Sequence, residues 1–166
     1  MRQIFLNKIT DFGISKETQI VVAVSGGVDS MVLLNLLDYH NFSFEIAHCN
    51  FSLRGEESDL DEDFVVDVAK KMKKKILIKR FNTINYADTK KLSIQMAARE
   101  LRYSWFNQLV CRKKNRIIMV AHHLDDSIET VLLNLIRGTG VSGLHGIRHK
   151  NNNIIRPLIE ISKKDI

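Results

Sequence analysis

Apolar and polar positions along the chain change period several times, and each change marks an element. Ile4, Phe5, Ile9 and Phe12 recur at helical spacing, which predicts a short amphipathic helix that Gly13 can stop. Gln19–Ser25 is a β-branched run, the pattern of a strand buried on both faces. Ser30–His40 has the length and spacing of a helix, and Phe42–Asn50 reads as a second strand. A helix over about 57–74 carries Phe64, Val65, Val68, Ala69 and Met72 between an acidic start and a basic end, a polarity that matches the helix dipole. Ile76–Phe81 then reads as a strand, Ser93–Arg112 as a helix, Arg116–Ala121 as a strand and Leu124–Arg137 as a helix. Strand and helix alternate throughout. The alternation predicts an α/β fold of three layers, a mostly parallel sheet with helices on both faces.

Composition narrows the class without changing that picture. The 166 residues suit one domain, and a chain of this size buries about two thirds of its unfolded surface without disulfides or metal. No apolar run approaches the ~20 residues of a spanning helix, and the opening residues have no signal-peptide core. Cys49 and Cys111 are too few for a disulfide scaffold, so a reducing cytoplasm is expected, with both thiols as core or pocket residues. A net charge of +6 favours a polyanionic partner. Ser162-Lys163-Lys164-Asp165 has the form of a capping box and is followed at once by Ile166, which reads as the first turn of a helix in a longer protein.

Two strings carry chemistry. Ser25-Gly26-Gly27-Val28-Asp29-Ser30 sits where a buried strand meets a helix. The glycines let the backbone turn tightly, and free amides there can point at phosphate oxygens, with Ser25 and Ser30 adding hydroxyls. Asp29 would repel phosphate unless a cation lay between them, and Mg²⁺ is the usual solution. No GxxxxGK[ST] pattern is present. The second string, Ala121–Thr130, holds His122, His123, Asp125, Asp126 and Glu129 just after a strand. Ligands bind beyond the carboxyl ends of strands in open parallel sheets, so both strings belong at one edge. Asp126 and Glu129 share a helix face and are better candidates than the histidines or Asp125; the alternative is that the aspartates merely cap the helix. Gly138, Gly140 and Gly143 match a dinucleotide fingerprint but follow a helix, so they are expected to end that helix and form a flexible loop. Arg99 and Arg102, beside Tyr103, Trp105 and Phe106, read by themselves as part of a structural helix.

The six-residue loop resembles the pyrophosphate loop of the N-type ATP pyrophosphatases, a superfamily that includes GMP, NAD and argininosuccinate synthetases. The strings at 94–106, 121–147 and 154–166 in this order, with 53–64, resemble the tRNA(Ile)-lysidine synthetase family from about Ile20 onward. The resemblance implies a Rossmann-like sheet of the adenine nucleotide alpha-hydrolase type. It implies a ligase that adenylates the wobble cytidine of tRNA(Ile) with ATP, after which the amino group of free L-lysine displaces AMP. Ser25, Gly26, Gly27, Val28, Asp29 and Ser30 would hold ATP, and Asp29 and Asp126 would share Mg²⁺. Glu129 would hold the lysine amino group, and Arg99 would contact ATP phosphate or the lysine carboxylate. His48 and Asn50 would lie near the nucleotide base. Residues 1–18 would be a lead-in helix, 19–161 the catalytic domain, and 162–166 the way into tRNA-binding domains. The resemblance leaves room for a homodimer. One departure stands out: Phe51-Ser52 replaces the His-Gly of many members.

Other readings compete. A tRNA thiolase would be expected to carry paired cysteines and an SGGKDS loop. A metal-dependent phosphohydrolase could be built on His122, His123, Asp125 and Asp126. The chain could also act as an adenine-nucleotide-binding module.

Overall fold

A computed structural model describes residues 1–111 and 115–166. The elements run α1 (Arg2–Asp11), β1 (Gln19–Ala23), α2 (Val28–Tyr39), β2 (Phe44–Asn50), α3 (Glu56–Lys71), β3 (Ile76–Arg80), α4 (Thr83–Lys90), α5 (Ile94–Cys111), β4 (Arg116–Met119) and α6 (Leu124–Ile136). A 3₁₀ turn (Val141–His145), β5 (Lys150–Asn151), β6 (Ile154–Ile155) and a last 3₁₀ turn (Lys163–Asp165) follow. Arg112, the expected last residue of the fifth helix, lies outside the described residues.

The sheet order is β3-β2-β1-β4-β6-β5, parallel except for β5 against β6. From β1 the chain moves outward to β2 and β3, then returns to β4 on the other side. The crevice beyond the ends of β1 and β4 is therefore a topological switch point, where such sheets bind ligands.

Strand alternation divides the core in two. Ile20, Val22 and Val24 join Ile46 and Met119 on one face, under Phe5 and Ile9 of α1, Leu33, Leu34 and Leu37 of α2, and Val65 of α3. Val21, Ala47, Ile118 and Val120 face the other way, onto Trp105, Phe106 and Val110 of α5. The expected three layers are present. Gly13, at φ +67°, ends α1, with Ile14 N–H donating to Ile9 O at 3.1 Å.

Three elements are absent from the hydrophobic pattern. α4 is short, and its signals are terminal: the Asn82 side chain accepts from Asn85 N–H at 3.1 Å, and Lys91 closes the helix in the left-handed region. β5 and β6 have two residues each, too few to show a period, yet β6 extends the sheet beside β4. The glycines after α6 lead into a 3₁₀ turn bonded to the helix rather than a free loop: Asn134 Nδ2 donates to Gly143 O at 3.0 Å. At Ser162 the hydroxyl donates to the Asp165 carboxylate at 2.6 Å, and the Asp165 N–H bonds Ser162 O at 3.0 Å.

Candidate active site

The β1–α2 turn is held by its own residues. Gly26 has φ +97°, a conformation open to glycine at no steric cost. The buried Ser30 hydroxyl donates to Gly27 O at 2.8 Å and accepts from Ser25 N–H at 3.3 Å, which pins the loop to the first turn of α2. No side chain caps that helix end, so its first-turn amides are left for an anion. Val28, in the same loop, is exposed.

The β4–α6 turn lies opposite and is built from side chains. Asp126 Oδ2 accepts from His123 N–H at 2.8 Å, and Asp125 Oδ2 accepts from Lys163 N–H at 2.7 Å. Buried His123 brings the two turns together: its Nε2 is 3.7 Å from Asp29 Oδ2 and 3.6 Å from Asp126 Oδ2. The Lys163 ammonium also bonds Asp29, so the segment after β6 folds back over the loop. The string alone gave no reason to include Lys163, since nothing in a sequence period places it at Asp29.

Between the turns is a cavity of about 190 Å³, lined by Ser25, Asp29 and Ser30 on one side and Arg102, Tyr103 and His122 on the other. Its floor is Ala47, Cys49 and Phe51. His48 and Asn50 do not line it. They have the opposite strand parity and point toward α3. His48 Nδ1 bonds Val24 O at 2.8 Å, while Asn50 Nδ2 donates to Glu62 at 2.9 Å and to Ser58 O at 3.2 Å. Buried Glu62 also accepts three bonds from Arg80, two from Nε at 3.2 and 3.0 Å and one from Nη2 at 2.9 Å. Burial alone would raise this carboxyl, but hydrogen bonds from Arg80 and Asn50 hold it below the usual range. The expected base contacts are thus a clamp joining β2, β3 and α3. The alternation of β2 would have selected Cys49 instead.

Cys49 is pushed up to about 12, chiefly by burial, so it is a neutral wall rather than a nucleophile. Cys111, at the end of α5, is exposed and lines a second, open pocket with Ile14, Val110 and Arg116. Phe51, the residue that departs from the family pattern, stacks on Phe81 at 5.5 Å and carries the Arg102 guanidinium 5.2 Å above its ring. Arg99 is exposed over Tyr103 at 4.9 Å, and Glu129 is exposed on α6.

The donor set suits Mg²⁺. Asp29 and Asp126 offer hard oxygens within 4 Å of one imidazole nitrogen, while Nδ1 of that imidazole is buried without a hydrogen-bond partner among the described residues. Mg²⁺ takes one or two carboxylates and completes its shell with phosphate and water. Among the described residues no three His, Cys, Asp or Glu side chains are grouped to hold a metal by themselves.

A model of the PP-loop domain, an ATP-binding domain, matches residues 1–166. The chain belongs to the PP-loop family. This PP-loop domain is 51% identical over 150 residues to the tRNA(Ile)-lysidine synthase of Bacteroides thetaiotaomicron, across 90% of this chain and 35% of that protein. It is 42% identical over 167 residues to the protein of the same name from Thermosipho africanus, across 98% of this chain and 39% of that one. The domain therefore spans little more than a third of the length of these relatives. Among solved structures it is similar to the U34-tRNA thiolase NcsA of Methanococcus maripaludis, with a TM-score of 0.78 and 19% identity across 99% of this chain and 60% of that one. It is also similar to the NMN synthetase of Francisella tularensis, with a TM-score of 0.68 and 14% identity across 99% and 65%. At these identities the likeness shows the fold. No helix of the described residues is long and apolar enough to cross a membrane.

Proposed function

We propose that this PP-loop domain performs the ATP-dependent ligation of free L-lysine to the wobble cytidine of tRNA(Ile), with release of AMP and pyrophosphate. The observation that carries the reading is likeness across nearly the whole chain to proteins named tRNA(Ile)-lysidine synthase, at 40–51% identity. The site supports it chemically. A ring carbonyl is a poor electrophile, and transfer of AMP to its oxygen, with pyrophosphate leaving, creates a good leaving group. The lysine amino group then attacks the activated carbon, and AMP departs with the carbonyl oxygen.

In this reading Ser25, Gly26, Gly27, Val28 and Ser30 hold the phosphates through amides and hydroxyls, as the free helix end allows. Asp29 and Asp126 would hold Mg²⁺, which supplies neutralisation of phosphate charge when bound. Glu129, on the same helix face as Asp126, directs the lysine amino group, and Arg99 contacts phosphate or the lysine carboxylate. His48 and Asn50 act by holding β2 and α3 beneath the loop. A cytoplasmic location, where ATP and tRNA are at hand, belongs to the same reading. So does a homodimer, and sedimentation of the full-length protein distinguishes one copy from two.

The test is direct. Full-length protein is incubated with ATP, labelled lysine and tRNA(Ile) bearing a CAU anticodon. Label entering tRNA with one AMP per lysine is expected. ADP as the product, or no transfer with any tRNA, overturns the reading.

A further inference from the structure

One wall of the cavity is lined by His122, which follows β4, and by Arg102 and Tyr103 of α5. Behind that wall, Arg156, which follows β6, bonds both His122 and Tyr103. Arg156 is only 4% exposed, and its guanidinium donates to neutral partners. Nη1 reaches Arg148 O at 2.9 Å, Nη2 the Tyr103 hydroxyl at 3.5 Å, and Nε the Nδ1 of His122 at 3.3 Å. A guanidinium has only donors, so the nitrogen that receives it must present a lone pair. In a neutral imidazole the proton then lies on Nε2.

The ring is neutral for a physical reason. Burial and then the charge of Arg156 push His122 down to about 4; Arg102 and Arg99 act in the same direction, and Asp126 opposes them. With the charges of three guanidiniums already acting on this ring, a further cation there is disfavoured. The wall gains a fixed N–H instead.

We infer that Arg156 is a positioning residue that locks His122 as its Nε2–H tautomer, and that this N–H donates to a phosphate oxygen of the nucleotide held by the loop. His122 lines the same cavity of about 190 Å³ as Ser25, Asp29 and Ser30, whose hydroxyls and loop amides are the candidate phosphate donors. The inference rests on nucleotide binding by the loop and does not depend on lysine transfer.

Two measurements on the full-length protein test it. The first is nitrogen NMR of protein labelled in histidine. His122 should show an unprotonated Nδ1 and a protonated Nε2, and the Nε2 signal should move on adding AMP or α,β-methylene-ATP but not adenosine. The second is nucleotide titration. His122→Met should weaken AMP binding by about tenfold and leave adenosine within about twofold, as expected for one hydrogen bond to a charged group. His122→Gln, whose amide can present an N–H near the Nε2 position, should retain AMP binding within about threefold of the natural protein. Arg156→Met should let the ring populate both tautomers. If that variant does not fold, the natural protein's tautomer and the two His122 variants still decide. A proton found on Nδ1, unchanged AMP affinity in His122→Met, or equal losses for AMP and adenosine would overturn the inference. Neither measurement uses lysine or tRNA, so the lysine-transfer reading can fail while this one stands.

Discussion

The β1–α2 and β4–α6 turns occupy neighbouring strand ends and each sets an aspartate in the first turn of a helix, yet they are supported in different ways. α2 buries Leu33, Leu34, Leu36 and Leu37 against the sheet, so its loop sits on packed core. α6 is equally apolar in composition but buries no residue, and Leu132, Leu135 and Ile136 are more than half exposed. Its start is held by polar bonds instead, from Asp126 to the backbone and from Asp125 to the segment at Lys163. An apolar helical pattern states that a face can be buried. Only the arrangement of neighbours decides whether it is.

The largest effect should come from the aspartates themselves. Asp29→Ala should lower the AMP-forming rate by about a thousandfold or more, the scale of losing a key electrostatic group, with the melting temperature nearly unchanged. Asp126→Ala should lower the rate and also cost about 1 kcal/mol of stability, because its carboxylate caps α6. Equal stability losses in the two variants would erase the distinction between the turns. The next largest effect is in the helix bodies: Leu34→Ala should cost about 2–5 kcal/mol in urea unfolding, and Leu132→Ala less than about 0.5. Comparable losses would mean that α6 is covered in solution.

A smaller effect is expected within the loop. A Cβ at Gly26 would have ordinary contacts, with its nearest neighbour, Phe64, at 3.7 Å, so Gly26→Ala should cost about 1–2 kcal/mol through φ alone. The opposite wall should show itself in acid. His122 is depressed from 6.5 to about 4 when folded, so the unfolded chain binds the extra proton between those values. Stability from the neutral ring is then full above about pH 6.5 and is lost as pH falls toward 4. The melting temperature of His122→Gln should lack this part of the acid slope. The smallest effect is chemical: at pH 8 iodoacetamide should modify Cys111 readily and Cys49 far more slowly, as mass spectrometry of the digested protein would show.

Much of the fold was legible because burial on both faces leaves β-branched runs, and helices between them leave a longer period. β1 is such a run; β2, β3 and β4 also lie where strands are expected, although β3, at the sheet edge, buries no residue. The PP-loop string was legible for a different reason: it is six consecutive residues at a strand-to-helix turn, so no distant contact is needed to recognise it. His48 and Asn50 show the limit. The resemblance and their place at the end of the second strand put them near a base, but place along a strand says nothing about parity. Their side chains lie on the α3 side of the sheet, where a buried Glu62 needs donors.

The sequence by itself determined the class of the fold, the turn at Gly26 and the two aspartates, because each follows from local spacing and conformational freedom. Tertiary structure alone decided that Cys49 and Phe51 form the cavity floor, that Lys163 returns to Asp29, and that Arg156 reaches His122 across 34 positions. Those contacts join segments distant in the chain: β6 beside β4 is the pairing that makes the last one, and Lys163 reaches Asp29 from beyond β6 past the end of β4. A one-dimensional pattern records which residues want burial or a partner. The switch in strand order supplies the partners.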